Sequence, residues 1–125
     1  MRYAMQSVED LLLVSLERGV ALVDTGSPVS IGHVEELEVA GRRYRAWTAL
    51  ASLVLDPVAE ELGRPVDWIL GGDVLCDWTL VLDWPGRAAD FLPPGQAPAG
   101  ERIPLTVELG VPWVEVEVRG RRARA

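Results

Sequence analysis

The sequence predicts a mainly β fold with two short helices, and three observations carry that reading. Apolar residues alternate with Glu or Arg at a period of two in several short runs, the mark of strands buried on one face. Those runs come in pairs joined at a Gly-bearing turn, which is the grammar of β-hairpins. Only one stretch, Asp56–Gly63, carries both a helix start and a helix stop signal. At 125 residues with 49% apolar side chains, the chain is long enough to bury a core without staples.

The elements follow in chain order. Residues 11–23, LLLVSLERGVALV, form two apolar runs flanking Glu17-Arg18-Gly19, and Gly19 is expected to supply the positive φ of a tight turn. Glu35–Ala49, EELEVAGRRYRAWTA, repeats the pattern with its turn near Ala40-Gly41. In the helix, Asp56 is the expected N-cap, Pro57 the first helical residue and Gly63 the terminator. A second short helix is expected after Gly72, capped by Asp73, with Val74, Leu75 and Trp78 turned inward. Leu80–Phe91 reads as another hairpin, with Pro85-Gly86 at the centre of a type II turn. Residues 92–104, LPPGQAPAGERIP, are too rich in Pro and Gly to supply ladder donors regularly and read as a linker. A last hairpin, Trp113–Ala125, turns near Arg119-Gly120. The segments ELEVAGRRYRA (36–46) and EVEVRGRRARA (115–125) agree at eight of eleven positions, which suggests an internally duplicated β unit. The organisation expected is therefore a lobe over 1–91, a linker over 92–104, and a C-terminal hairpin or the start of a second lobe over 105–125.

Charge and composition narrow the partners. All twelve basic residues are Arg, set against nineteen acids, for a net charge of −7. Four of those Arg lie in residues 119–125, so residues 1–118 carry eight Arg against nineteen acids, or −11. So acidic a body argues against a general nucleic-acid partner. The single Cys76 excludes an internal disulfide and a Cys-rich metal site, and neither metal nor cofactor is expected. No apolar run approaches the ~18 residues of a membrane span. Residues 1–18 do not read as a signal peptide, so no membrane association and a cytoplasmic location are expected.

The chemistry concentrates in Ala21-Leu22-Val23-Asp24-Thr25-Gly26-Ser27. An aliphatic strand delivers a carboxylate into a turn whose Gly lets the backbone approach it and whose hydroxyls can bond locally. Some forty-five residues later comes Ile69-Leu70-Gly71-Gly72-Asp73-Val74-Leu75, and then Val81-Leu82-Asp83. Together, over residues 11–91, these resemble the retropepsin-like (retroviral-type) aspartic proteases, in which a D-T-G-[SA] turn is followed by a hydrophobic-hydrophobic-Gly segment leading into a short helix and a last hairpin.

The resemblance implies a retropepsin-like lobe hydrolysing peptide bonds. Asp24 would be the catalytic carboxylate, Thr25 the hydroxyl that grips a second such loop, and Gly26 the amide that bonds the carboxylate. Ser27 would hydrogen-bond the outer carboxylate oxygen, and Ile69, Leu70 and Gly71 would cross beneath the loop as the floor of the site. Such chemistry needs two carboxyls sharing one proton, since like charges pressed together cannot both ionise. With one D-T-G in the chain, a homodimer is the economical source of the second, and a missing lobe the other. Only seven residues, Ser27 to His33, separate Gly26 from the next hairpin at Val34, so either the substrate-covering flap or the second-half hairpin of the family is absent. The alternative reading is accordingly a retropepsin-fold module without activity, serving dimerisation or peptide binding.

The remaining residues carry plainer expectations. His33 is an exposed loop residue, Cys76 is buried, Trp68, Trp78 and Trp84 are core or dimer-contact anchors, and Asp73 and Asp83 cap a helix and a turn.

Overall fold

A computed structural model describes residues 1–125. Its main sheet is built from β1 (Arg2–Val8), β2 (Leu11–Leu16), β3 (Gly19–Val23), β4 (Ile31–Gly32), β7 (Trp68–Leu70), β8 (Thr79–Asp83) and β9 (Ala88–Leu92), in the order β4-β7-β3-β2-β1-β9-β8. All neighbours are antiparallel except β3 and β7, which run parallel in the register Ala21↔Trp68, Leu22↔Ile69, Val23↔Leu70. A separate hairpin, β5 (Glu36–Val39) with β6 (Arg42–Arg45), and the helix α1 (Ala51–Leu62) are placed between β4 and β7 in the chain. The protein is mainly β, as the alternation predicts.

Both faces of the central strands are covered, and the strand alternation decides which side chain meets which layer. Leu13, Leu22, Ile31 and Ile69 point to one face and pack with Ala51 and Leu55 of α1. Val14, Leu16, Ala21 and Leu70 point to the other and pack with Leu37 and Val39 of β5, together with Tyr3 and Phe91. The sheet is thus sandwiched between a helix and a hairpin, which holds the β3–β7 pair rigid at the centre.

Several local expectations are corrected. The strand β1 was not signalled by a clean apolar run, yet Tyr3 and Met5 alternate inward and seat it between β2 and β9. Gly19 does not have positive φ; it is needed for space, since a Cβ there would lie 2.3 Å from the Asp67 carboxylate that accepts the Val20 N–H. The helix begins at Ala51 with Leu50 as N-cap, so Asp56 caps nothing and Pro57 lies inside it. Packing overrides the start signal: Ala51 and Leu55 are anchored in the core, with Val58 and Leu62 following on the same face. The N–H that Pro57 lacks would have bonded the Leu53 carbonyl, and Leu53 is 75% exposed, so water can serve that oxygen. Gly63 ends the helix in the left-handed conformation, as expected.

Pro85 and Gly86 do occupy the centre of a turn closed by Arg87 N–H to Trp84 O, but Gly86 is not left-handed and Arg87 is, so the type II assignment fails. Trp84 is exposed on that loop rather than in the core, whereas Trp68 is buried and Trp78 half-buried against Phe91. Past β9, residues 93–105 carry no helix or strand; two hairpins follow, β10 (Thr106–Glu108) with β11 (Val111–Trp113) and β12 (Glu115–Val118) with β13 (Arg121–Arg124). No helix is long and apolar enough to cross a membrane.

Candidate active site around Asp24

The strand β3 ends by delivering Asp24, whose N–H donates to Leu70 O at 3.0 Å and so extends the parallel pairing with β7 by one step. The chain then leaves the sheet, arches over the end of β7, and returns as β4 on β7's other edge. The segment between is short, and β7 is consequently clasped on both sides by the same loop. Ile69, Leu70 and Gly71 are all buried beneath it.

The clasp is closed by a knot of hydrogen bonds. Gly72 N–H donates to Ser27 O at 2.7 Å and Asp73 N–H to Pro28 O at 3.1 Å. Ser30, wholly buried, donates its hydroxyl to Asp73 Oδ1 at 2.7 Å and accepts from Gly71 N–H at 2.9 Å, while its own N–H donates to Asp73 Oδ2 at 3.0 Å. Gly71 admits no side chain: a Cβ would stand 2.3 Å from Val29 O and 2.6 Å from Ser27 O. Asp73 therefore does not cap the short helix α2 (Gly72–Leu75), whose N-cap is Gly71; it ties that helix to the Asp24 loop. Val74 is buried, Leu75 and Trp78 are half-buried, and Cys76 is exposed because α2 spends its inward face on Val74. Asp83 pairs with Arg2 at 2.7 Å and accepts the Gly86 N–H at 3.0 Å, and chiefly the Arg2 guanidinium holds its carboxyl below the usual carboxylate range.

At the exposed end of this clasp the Asp24 carboxylate is half-buried, and Thr25 and Gly26 are open to solvent. Gly26 N–H donates to Asp24 Oδ1 at 3.0 Å, the only hydrogen bond that the carboxylate makes. The role expected of Ser27 is corrected: its hydroxyl donates to Val29 O at 2.6 Å and so braces the loop instead of bonding Asp24. The second oxygen of Asp24 is thus left without a protein partner. His33 is exposed, with Nε2 3.1 Å from Asp56 Oδ1. No group of three His, Cys, Asp or Glu is placed to hold a metal ion.

Two tertiary contacts had only faint signals in the sequence. The hairpin β5–β6 is fastened to the core, its Ala40 N–H donating to Tyr3 Oη at 2.7 Å and its Tyr44 hydroxyl donating to Asp77 at 3.0 Å. The Tyr3 hydroxyl in turn donates to Glu17, and burial chiefly pushes its pKa up to about 12. The second feature is the docking of β10–β11 beside the Asp24 loop. Gly110 meets Pro28 and Gly72 so closely that a Cβ on Gly72 would lie 2.3 Å from Gly110 O. Leu105, Val107 and Pro112 from this arm, with Thr25, Leu75 and Trp78, line a groove of about 530 Å³. The alternation Leu105-Thr106-Val107 was the available signal, masked by the Pro-rich stretch before it.

Comparison with known proteins leaves this geometry to stand on its own: no family model matches the chain, and no curated protein or solved structure matches it.

Proposed function

We propose that this chain is a retropepsin-like lobe supplying one half of an aspartic peptidase site, with two Asp24 loops brought together in a homodimer. The observation that carries this reading is the state of Asp24 itself. Its carboxylate is fixed by one backbone amide, has an oxygen free of protein partners, and projects from a loop whose Thr25 and Gly26 are exposed. A carboxylate with only a structural role would ordinarily have its lone pairs spent on the fold, as those of Asp73 are.

Two such groups in contact would share one proton. The ionised member takes a proton from water as its oxygen bonds the peptide carbonyl carbon, and the protonated member gives its proton to the carbonyl oxygen. Collapse of that tetrahedral diol breaks the C–N bond, with a proton passing to the departing amine and another returned to the dyad. The substrate class is an extended peptide. Because one carboxyl must be charged and its twin neutral, the rate should be bell-shaped against pH, with its maximum on the acid side.

A non-proteolytic peptide-binding or dimerisation module is the second reading, and one observation favours it. The hairpin β5–β6 is pinned to the core through Leu37, Val39 and Tyr3, so it does not serve as a mobile cover that would exclude water. The test is cleavage of a fluorogenic peptide library across pH 3–7 (a range of about 4 pH units that spans carboxylate titration) by the wild type and Asp24→Asn. Cleavage by the wild type alone supports the peptidase. Equal background rates in both, with peptide still bound, establish the inactive module.

A further inference from the structure

The internal repeat divides into one hairpin that is seated and one that is not. β5–β6 and β12–β13 share the same pairing, Glu36↔Arg45 through Val39↔Arg42 in one and Glu115↔Arg124 through Val118↔Arg121 in the other. Both close through two left-handed residues, Ala40-Gly41 at φ +50° and +81°, and Arg119-Gly120 at +52° and +76°. Partners opposite each other in an antiparallel pair lie on one face, so Leu37, Val39, Tyr44 and Arg42 correspond to Val116, Val118, Ala123 and Arg121. In the first hairpin that face is covered: Leu37 and Val39 are 0% exposed, and Arg42 reaches Asp77 at 3.1 Å. In the second it is largely uncovered: Val116 is only half-buried, Val118 is 56% exposed, and Arg121 has no acidic partner.

The seated copy specifies what the bare one fits: an apolar surface bordered by carboxylates. Such a surface exists on the same chain, on the outer side of α1. Leu50 and Leu53 are 44% and 75% exposed there, and the helix carries Asp56, Glu60 and Glu61 with no basic residue. Residues 119–125 offer four Arg and no acid, of which only Arg124 is paired, to Glu108.

We propose that β12–β13 docks onto the outer face of α1 of a second copy of this chain, Val116 and Val118 against Leu50 and Leu53, with Arg121 among the helix acids. A two-fold axis makes the exchange reciprocal, so each dimer contains the contact twice. This surface is distinct from the Asp24 loops, and a dimer joined here stands whether or not those loops cleave peptides.

Sedimentation velocity on the full chain tests it, with circular dichroism confirming that each variant folds. The wild type is expected to be a dimer at tens of micromolar, a concentration that corresponds to a modest association free energy. Val118→Asp and Leu53→Arg alter exposed positions on the two sides of the proposed contact, and each should raise the dissociation constant at least ~tenfold, since a charge replaces apolar burial. Leu109→Asp, at an exposed turn outside the contact, should leave it unchanged. A monomeric wild type, a dimer indifferent to Val118→Asp or to Leu53→Arg, or equal dissociation by Leu109→Asp would each overturn the proposal. Asp24→Asn should dimerise as the wild type does, which separates failure of this contact from failure of the peptidase reading.

Discussion

Asp24 and Asp73 flank the same clasp around β7, and they are used in opposite ways. Asp73 accepts the N–H and hydroxyl of Ser30 and the N–H of Val74, so its lone pairs are spent on holding the loop to α2. Asp24 accepts one N–H and keeps an oxygen free. The difference teaches how one fold can hold two acids in opposite states: one carboxylate is consumed in making the scaffold stiff, and the other remains uncommitted upon it, as the proposed peptidase site requires. Rate and stability should therefore separate between these two residues.

The largest expected effect is on rate. If the proposed dyad forms, Asp24→Asn should lower peptide cleavage by ~10³-fold or more, because the pair would lose the group that carries its proton. Its melting temperature should stay within about 2 °C of the wild type, since the amide oxygen can still accept the Gly26 N–H. A large loss of stability in this variant would mean that Asp24 is a structural turn residue and would erase the contrast with Asp73.

Next comes the floor. Gly71→Ala should destabilise by roughly 3 kcal/mol or more, because the added methyl meets the Val29 and Ser27 carbonyls, which are backbone and cannot swing aside. Asp73→Asn should cost about 1–3 kcal/mol by urea titration, since an amide nitrogen would face the Ser30 donors. Any activity should fall only in proportion to unfolded protein. Were Asp73→Asn to abolish cleavage while leaving stability intact, the two acids would not divide their work in this way.

How much of this was legible follows the same division. The Gly-bearing turns at Ala40-Gly41 and Arg119-Gly120 could be read from residues, because local geometry dictates them, whereas the crossing of Ile69-Leu70-Gly71 beneath the Asp24 loop was expected only from the family resemblance. What could not be read was which of the available partners a side chain would take. Ser27 chose Val29 O over Asp24, Asp73 chose Ser30 over a capping role, and α1 began at Ala51 because Leu55 had a place in the core. The twin hairpins make the point most directly: eight of eleven shared positions produced the same pairing and turn, yet burial of Val39 and exposure of its counterpart Val118 depend on what lies opposite.

The smallest effect concerns the anchor of the seated hairpin. Tyr3→Phe removes the acceptor of the Ala40 N–H and the donor to Glu17, and should cost about 1–2 kcal/mol. It should also change the alkaline limb of stability. Burial raises the Tyr3 pKa to about 12 from its ordinary 10, so the folded state holds the phenol proton more tightly than the unfolded chain does. That contribution is complete below pH 10 and is lost as pH climbs toward 12, where the unfolded chain gains by releasing the proton. Urea midpoints between pH 9 and 12 should thus fall for the wild type, and the part of the fall due to this residue should vanish in Tyr3→Phe. Parallel curves for the two proteins would show that the hydroxyl does not hold β5–β6 down, leaving Leu37 and Val39 as its anchors.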